Sequence, residues 1–237
     1  MGVIKFGGVS SETIELIVET RPDYEMPLKK YERIHVPGRN GDVIIDTGEY
    51  ENVDRVYNVA CYKEGVSAPY LSRELSKWLS KPGYQRLEDS YQPDVFMMAV
   101  CEQENTITNI HNQAGRASLT FNRMPQRFLK IGEDPIEITE NGSYIINPSP
   151  QIAVPIIKIH GFNGVVNIGE YSIGINSKTS PIIIDSVTAN TYTADGSVTY
   201  EVVLEKGYPK LPGDVRIPIS WKGDIYKVEI IPNWWVI

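Results

Sequence analysis

The stretch that decides the fold is HVPGRNGDVIIDTGEYENVDRVY, from His35 to Tyr57. Asn40-Gly41 are two consecutive residues that tolerate positive φ, as the centre of a type I′ hairpin turn requires. The apolar run Val43 to Ile45 follows that turn with side chains typical of strands. We therefore expect Arg33 to Val36 and Asp42 to Asp46 to pair as antiparallel strands.

The segments around this hairpin predict more β-structure and one helix. In Pro69 to Lys81 the apolar side chains fall on one stripe of a helix, with Ser67 as its N-cap and Pro82-Gly83 as its stop. Its stripe should pack on a sheet, with Trp78 as a core anchor. The predicted strands of this first half are Thr13 to Glu19, Asn52 to Tyr62 with Tyr57, Val59 and Cys61 on one face, Val95 to Cys101, and Arg116 to Asn122 with Ala117, Leu119 and Phe121 facing inward.

The second half has no amphipathic helix pattern and reads as an all-β sandwich. Composition shifts near Gly132 to Pro135, so we expect one domain over residues 1–132 and a second over 133–237. Asn141-Gly142, Asp195-Gly196 and Lys222-Gly223-Asp224 are predicted hairpin turns. The predicted strands are Ile136 to Thr139, Tyr144 to Ile146, Val154 to Ile159, Val165 to Ile168, Tyr171 to Ile175, Ile182 to Asp185, Tyr192 to Thr193, Val198 to Leu204, Val215 to Trp221 and Ile225 to Ile231.

Composition excludes several classes of function. The chain has 237 residues, 41% of them apolar, which is enough for a normal core, and no run long enough for a membrane span. Its start lacks the pattern of a signal peptide. The net charge is −7 without a dense Lys/Arg block, which argues against a dedicated nucleic-acid binder. Cys61 and Cys101 are too few for a disulfide framework.

No pattern of catalytic or metal-binding residues stands out. The three histidines, His35, His111 and His160, are not at metal-ligand spacing, and neither cysteine is in a C-x-x-C motif. Glu88, Asp89 and Asp94 bracket Ser90 to Pro93 and are better explained by a turn before a strand than by acid–base chemistry. The G-x-x-G match at Gly38 to Gly41 fits a hairpin rather than a KH loop, since no helices flank it. The sequence therefore predicts no metal site and no cofactor.

Two further regions are candidate contact surfaces. Trp221, Trp234 and Trp235 suit a core or subunit interface better than a sugar platform, and Trp234 and Trp235 should be docked rather than exposed. The polar segment Glu102 to Ala114 reads as a long loop or hairpin arm. We expect a protruding arm over Asn105 to Asn112 that contacts a neighbouring subunit, through Asn105, Thr106, Ile107, Thr108, Asn109 and Ile110.

Three parts of the chain, taken in order, resemble the distal tail protein (Dit) family of long-tailed phages and prophages. The first is the P-G-R-N-G-D segment and the second is the helix end with L-x-x-P-G-Y-x-R-L-x-D-S-Y-x-P-D, and together they are specific. A weaker echo is the closing IPNWWVI. The residues that carry the resemblance are Pro37, Gly38, Arg39, Asn40, Gly41, Asp42, Trp78, Pro82, Gly83, Tyr84, Asp89, Tyr91, Pro93, Asp94, Trp234 and Trp235.

The resemblance implies a virion structural protein without enzymatic activity, metal or cofactor. Its fold would be mainly β, with an N-terminal tail-tube-like β-barrel or sandwich bearing one α-helix and a C-terminal galectin-like β-sandwich. Six copies would form a ring in the tail tip or baseplate. The implied partners are further copies of the chain, the tail tube protein and a Tal-like tail-tip hub protein, with DNA only passing through the channel and no membrane contact. Synthesis would take place in the cytoplasm of the bacterial host.

Two alternatives to a ring-forming hub remain open. One is a binding module, whose sandwich recognises host cell-wall saccharide through exposed aromatics during adsorption, and the other is a glycan hydrolase. Within a hub, the sandwich could also be only a spacer or a site for a receptor-binding protein. A glycan hydrolase would need two facing carboxylates, and the sequence offers no such pair.

Overall fold

The computed structural model describes residues 2–62, 68–102, 108–111 and 114–237. Contacts divide the chain into two compact units, Met1–Arg127 with Ile237, and Phe128–Val236. Both are built mainly from strands, and the described residues contain one α-helix, which confirms the predicted fold class. The domain boundary predicted between residues 132 and 133 stays a prediction.

The first unit is organised around one sheet and one helix. Its elements are Ile4–Phe6 (β1), Val9–Ser10 (β2), Leu16–Val18 (β3), Lys29–Ile34 (β4), Val43–Tyr50 (β5), Val53–Tyr62 (β6), Ala68–Leu79 (α1), Gln85–Asp89 (β7), Val95–Val100 (β8), Thr108–His111 (β9) and Ala114–Leu129 (β10). The sheet has the order β2-β1-β7-β8-β10-β6-β3, and β9 also pairs with β10. β4 and β5 stand apart as a two-stranded sheet.

The predicted helix is confirmed as α1, and its apolar stripe shares a core with the sheet. Leu71, Leu75 and Leu79 are buried in one cluster with residues of β1, β6, β7, β8 and β10. The Trp78 indole N–H donates to the Phe6 and Val9 carbonyls, both at 3.2 Å. Trp78 is therefore the core anchor that the sequence predicted. Ser67, the predicted N-cap of this helix, lies outside the described residues.

The predicted faces of β6 and β10 are also confirmed. Tyr57, Val59 and Cys61 are buried on β6, and Leu119 and Phe121 are buried on β10. Three strands of this sheet, β1, β2 and β7, were not predicted. β1 has three residues and β2 has two, and β7 (QRLED) carries Leu87 as its only apolar residue, so none gives a clear period-2 signal.

The hairpin of the deciding stretch is confirmed, but its predicted two-residue turn is wrong. The register aligns Ile34 with Val43, so the connection runs over residues 35–42. Gly38 and Gly41 both have φ of 81°, whereas Asn40 is not among the residues with positive φ. Two separate glycines thus supply the left-handed conformations of a longer loop. His35 Nδ1 and Asp42 Oδ1 lie 3.4 Å apart across its ends.

The second unit contains two five-stranded sheets and one further strand of two residues that belongs to neither of them. Its strands are Ile136–Ile138 (β11), Tyr144–Ile146 (β12), Ile156–His160 (β13), Asn163–Ile168 (β14), Tyr171–Asn176 (β15), Ile182–Asp185 (β16), Asn190–Tyr192 (β17), Val202–Glu205 (β18), Arg216–Gly223 (β19), Lys227–Ile231 (β20) and Trp235–Val236 (β21). One sheet has the order β11-β20-β13-β16-β17 and the other β12-β19-β14-β15-β18. The inward side chains of both sheets, mostly isoleucine and valine, form a single core. All ten predicted strands are present; Tyr144–Ile146 and Ile182–Asp185 have the predicted bounds, and the other eight have shifted ends.

Two of the three predicted hairpin turns in this unit are wrong. Asn141-Gly142 lies between β11 and β12, which belong to different sheets. Lys222 and Gly223 end β19 and Asp224 follows it, and the next strand, β20, belongs to a different sheet from β19. Each of these two segments leads from one sheet of the sandwich to the other, so the strands before and after it pair with partners that are distant in the sequence. Asp195-Gly196 does lie in a tight turn, where the Thr193 N–H donates to the Ser197 carbonyl at 2.9 Å.

The C-terminal tryptophans are docked, as predicted. Trp234 is 2% exposed and belongs to the core of the second unit. A Cβ added at Gly132 would lie 2.5 Å from the Trp234 nitrogen, so only glycine allows this approach. The Trp235 indole donates to the Ile152 carbonyl at 2.9 Å. Within the described residues, no helix is long and apolar enough to cross a membrane.

Candidate assembly surface

The β4–β5 hairpin exposes most side chains on both of its faces. In the part of the chain that the structure describes, no third strand pairs with it. Ile44 is 60% exposed and Ile45 is 43% exposed, although both belong to a strand. A two-stranded hairpin with no packed face is marginal in water. The hairpin therefore presents apolar side chains and open backbone edges that a partner can cover.

Each face of the hairpin mixes apolar and charged side chains. Residues directly opposite each other in the register share a face. One face carries the pairs Ile34–Val43 and Glu32–Ile45, and the other carries Arg33–Ile44 and Tyr31–Asp46. Such a mixture suits a protein–protein interface that must remain soluble before assembly better than it suits a core.

Ion pairs across the hairpin support its register. The Lys29 ammonium donates to Asp46 Oδ2, and Lys30 Nζ lies 3.5 Å from Glu49 Oε2. The hydrogen bond to Lys29, with a second from the Gly48 N–H, lowers the pKa of Asp46 below its ordinary value. The same bond raises the pKa of Lys29. Both groups remain charged over a wide range of pH and hold β4 against β5.

A buried ionic cluster lies beneath the segment that leads into β4. Arg55 is 2% exposed, and its Nη2 donates to Asp89 Oδ2 at 3.0 Å. Its Nη1 donates to the Asp23 carbonyl and, at 3.2 Å, to Glu25 Oε2. The Tyr57 hydroxyl donates to the same Asp89 oxygen at 2.7 Å. The cluster thus attaches residues 23–25, just before the hairpin, to strands β6 and β7.

A second buried arginine holds the same segment from the end of the sheet. Arg123 is 1% exposed, and its Nη2 donates to the Glu25 carbonyl at 3.2 Å. Its Nη1 donates to the Met124 and Pro125 carbonyls at 3.0 and 3.2 Å. Burial lowers the pKa of this guanidinium to about 10. Burial, followed by the charge of Asp89, raises the pKa of the Tyr57 phenol, which stays neutral and donates.

Asp89 uses its two carboxylate oxygens for different purposes. Oδ1 accepts from the Tyr91 and Gln92 N–H groups at 2.9 Å each, which confirms the predicted turn before the strand β8. Oδ2 binds the buried Arg55 and Tyr57. Sequence reasoning found the turn and missed the ion pair, since Arg55 lies 34 residues away with no local signal.

The structure does not gather the family-motif residues into one site. Pro37 to Asp42 form the loop at the tip of the hairpin, and Trp78 lies in the core. Pro82 to Tyr84 follow α1, where the Tyr84 hydroxyl accepts from the Asn52 amide at 2.6 Å. Asp89, Tyr91, Pro93 and Asp94 shape the β7–β8 turn. Trp234 and Trp235 belong to the second unit.

The predicted arm is described only in part. Asn105, Thr106 and Ile107, together with Asn112, lie outside the described residues. Thr108, Asn109 and Ile110 belong to β9, which pairs antiparallel with the start of β10. The contact of this arm with a neighbouring subunit stays a prediction.

The described residues contain no group of three or more His, Cys, Asp or Glu side chains placed to hold a metal ion. No disulfide joins Cys61 to Cys101, both of which are described. The features that stand out chemically are the exposed hairpin and the ionic cluster at its base.

Of three comparisons with known proteins, one bears on the fold of this chain. No protein-family model matches the chain, and no curated protein matches it. Among solved structures, the Dit protein of phage SPP1 matches with a TM-score of 0.78 at 12% sequence identity, over 100% of both chains. That protein is described as a paradigm of the hub adsorption apparatus in phages that infect Gram-positive bacteria. At this identity the likeness establishes a shared fold.

Proposed function

We propose that this chain is a structural protein of the distal tail of a long-tailed phage or prophage, a Dit protein that forms a hexameric ring joining the tail tube to the tail tip. The fold shared with SPP1 Dit supports this proposal. The observation that carries it is the hairpin of β4 and β5, whose Ile44 and Ile45 are exposed on a sheet with no third strand in the described chain.

The hairpin supports a ring if it contacts a different surface of the neighbouring subunit. The hairpin projects apolar groups and charges of both signs, which a different surface of the next subunit can cover. A contact between two different surfaces of identical subunits is heterologous and closes into a ring when the rotation allows. The ionic cluster at the base of the hairpin fixes its starting point, which a repeated contact requires. The number six comes from the Dit resemblance.

The remaining partners follow from the same role. Residues 1–132 would form the ring domain, bound above by the tail tube protein and below by a Tal-like tail-tip hub protein. Residues 133–237 would form a galectin-like outer sandwich that a receptor-binding protein can use. DNA would pass through the channel without binding, which suits a net charge of −7. Such a virion component of the tail tip or baseplate, made in the host cytoplasm, has no catalytic step.

Replacing one exposed apolar residue of the hairpin tests this proposal. We expect Ile44→Asp to abolish rings, because it places a charge in the proposed interface, while the monomer keeps its stability within about 0.5 kcal/mol. Mass photometry and negative-stain images of wild-type protein, alone and mixed with the tail tube and tail-tip proteins, should show a species of six 26.7 kDa chains.

Val187→Asp is the matched control, since Val187 is 61% exposed and lies in the second unit. It should assemble like the wild type. A wild-type chain that stays monomeric with both partners would overturn the proposal, and rings of Ile44→Asp would overturn the role of the hairpin.

A further inference from the structure

A groove of about 440 Å³ crosses the outer face of the sheet β12-β19-β14-β15-β18 in the second unit. Its floor is Gly174 on β15, which the register places between Val165 on β14 and Val203 on β18. A Cβ added at Gly174 would meet only Val203, at 3.7 Å or more. The missing side chain therefore creates a depression in an otherwise covered sheet.

An aromatic ring that is almost fully exposed to solvent lies at one rim of the groove. Tyr200 lines the groove and is 93% exposed, more than any other large apolar residue described. The other tyrosines on the surface of this unit are less exposed, and Tyr144 at 51% lies under Arg216, 4.7 Å from its ring centre. An aromatic ring left open to solvent beside a concave surface marks a binding position.

The groove also offers polar groups that have no partner within the described chain. Asn163, Asn176 and Glu201 line it, all three are exposed, and no hydrogen bond engages their side chains there. By contrast, the Asn147 amide is committed to three backbone groups. The Asn176 N–H donates to the Glu201 carbonyl at 3.2 Å, which keeps these two residues side by side. Two amides and a carboxylate thus stand ready to donate and accept hydrogen bonds.

We propose that this groove binds a neutral hexopyranose unit of a polysaccharide. The C–H face of the sugar ring would stack on Tyr200, and its hydroxyls would bond the Asn163 and Asn176 amides and the Glu201 carboxylate. Gly174 leaves the space in which the ring lies. The Glu201 charge disfavours anionic saccharides, because it would face a like charge across the groove. This site goes beyond the proposed hub role and does not depend on ring assembly.

Saturation-transfer difference NMR with methyl β-D-glucopyranoside, methyl β-D-galactopyranoside and N-acetyl-D-glucosamine tests the site in assembled or monomeric protein. We expect transfer to the ring protons of at least one of these sugars, and none to the anionic monosaccharide methyl β-D-glucuronide. Tyr200→Ala should weaken binding about tenfold, the size of one lost aromatic contact. Gly174→Val should abolish it, because the side chain fills the floor while a β-branched residue suits the strand.

Two matched controls separate the groove from general surface effects. Ser172→Val adds the same side chain on the same strand and face, outside the groove lining. Tyr226→Ala removes another exposed tyrosine, 60% exposed, from the second unit. Both should bind as the wild type does. The proposal is overturned if none of the neutral sugars receives transfer at tens of millimolar, or if Gly174→Val binds as well as Ser172→Val. Neither outcome bears on ring formation.

Discussion

Two isoleucine-rich strands of this protein differ in the solvent exposure of their isoleucine side chains. Val43 to Ile45 begin β5, where Ile44 is 60% and Ile45 is 43% exposed, whereas Ile182 and Ile184 in β16 are 0% exposed. The residue types are the same and both segments are strands. β16 pairs with a strand on each side and faces a second sheet, while β5 pairs only with β4. Composition alone therefore does not decide burial, and the uncovered strand is the one available to a partner.

The contrast extends to charge. The first unit buries Arg55 against Asp89 beneath the start of the hairpin, whereas the hairpin itself carries its ion pairs at the surface. A buried pair is costly to break because one charge is left without a partner, and a surface pair contributes little. The base of the hairpin is thus held firmly, while the strands that it carries depend on weaker contacts.

The largest expected effect comes from breaking the buried cluster. Asp89→Ala removes the fully buried carboxylate that pairs with Arg55 and leaves the guanidinium only the more exposed Glu25, so it should destabilise the first unit by about 4 kcal/mol. Urea unfolding followed by Trp78 fluorescence, with the other three tryptophans replaced by Phe, measures this loss in the first unit. Asp94→Ala, at an exposed position of the same β7–β8 turn, is the control and should change stability little. Equal stability of the two variants would show that the cluster does not hold the fold.

A smaller loss of stability should distinguish an isoleucine substitution in β16 from one in β5. Ile184→Ala removes a buried side chain from the core of the second unit and should cost about 3 kcal/mol. Ile44→Ala removes an exposed one and should cost less than about 0.5 kcal/mol in the monomer. Chemical denaturation of both variants under monomeric conditions measures the difference. A large loss with Ile44→Ala would mean that the hairpin is packed within its own chain in solution.

Much of the fold could be predicted from periodicity. One face of α1, of β6 and β10, and of the sandwich strands is buried. Burial of one face produces a periodic pattern of apolar residues, and this pattern can be recognised in the sequence. Pairing was harder, because partners are set by contacts distant in sequence. Asn141-Gly142 therefore looked like a hairpin turn, yet it joins strands of two different sheets.

The candidate assembly surface was only partly foreseeable. The hairpin was predicted, but nothing in Val43 to Ile45 distinguishes an exposed apolar run from a buried one. The ion pair of Arg55 with Asp89 joins strands far apart in the sequence and leaves no local pattern. The groove at Gly174 could not be predicted either. From the sequence alone, a glycine within a strand indicates a less stable strand, and the groove becomes evident only when its neighbours Val165 and Val203 are known.

The smallest expected effect is the pH response of the exposed hairpin. The folded pKa of Asp46 lies below its ordinary value of 3.8, chiefly through the hydrogen bond from Lys29. Its contribution is therefore present above that value and is lost as the pH falls through the lowered folded pKa. The folded pKa of Lys29 is raised above 10.5, so its contribution is present below 10.5 and is lost as the pH rises through the raised value. Between these limits the pair supports the hairpin.

The amide of Gly48 reports this titration, because it donates to Asp46 Oδ1 at 2.9 Å. In TROSY spectra of protein labelled with 15N-glycine, Lys29→Met should raise the acidic midpoint of this signal toward the ordinary value. The bond from Gly48 itself remains and keeps the midpoint somewhat below it. Lys30→Met is the control, since Lys30 pairs with Glu49 and should leave the midpoint unchanged. If both variants titrate alike, the Lys29–Asp46 pair does not form in solution, and the exposed hairpin is held by its backbone ladder and its buried base alone.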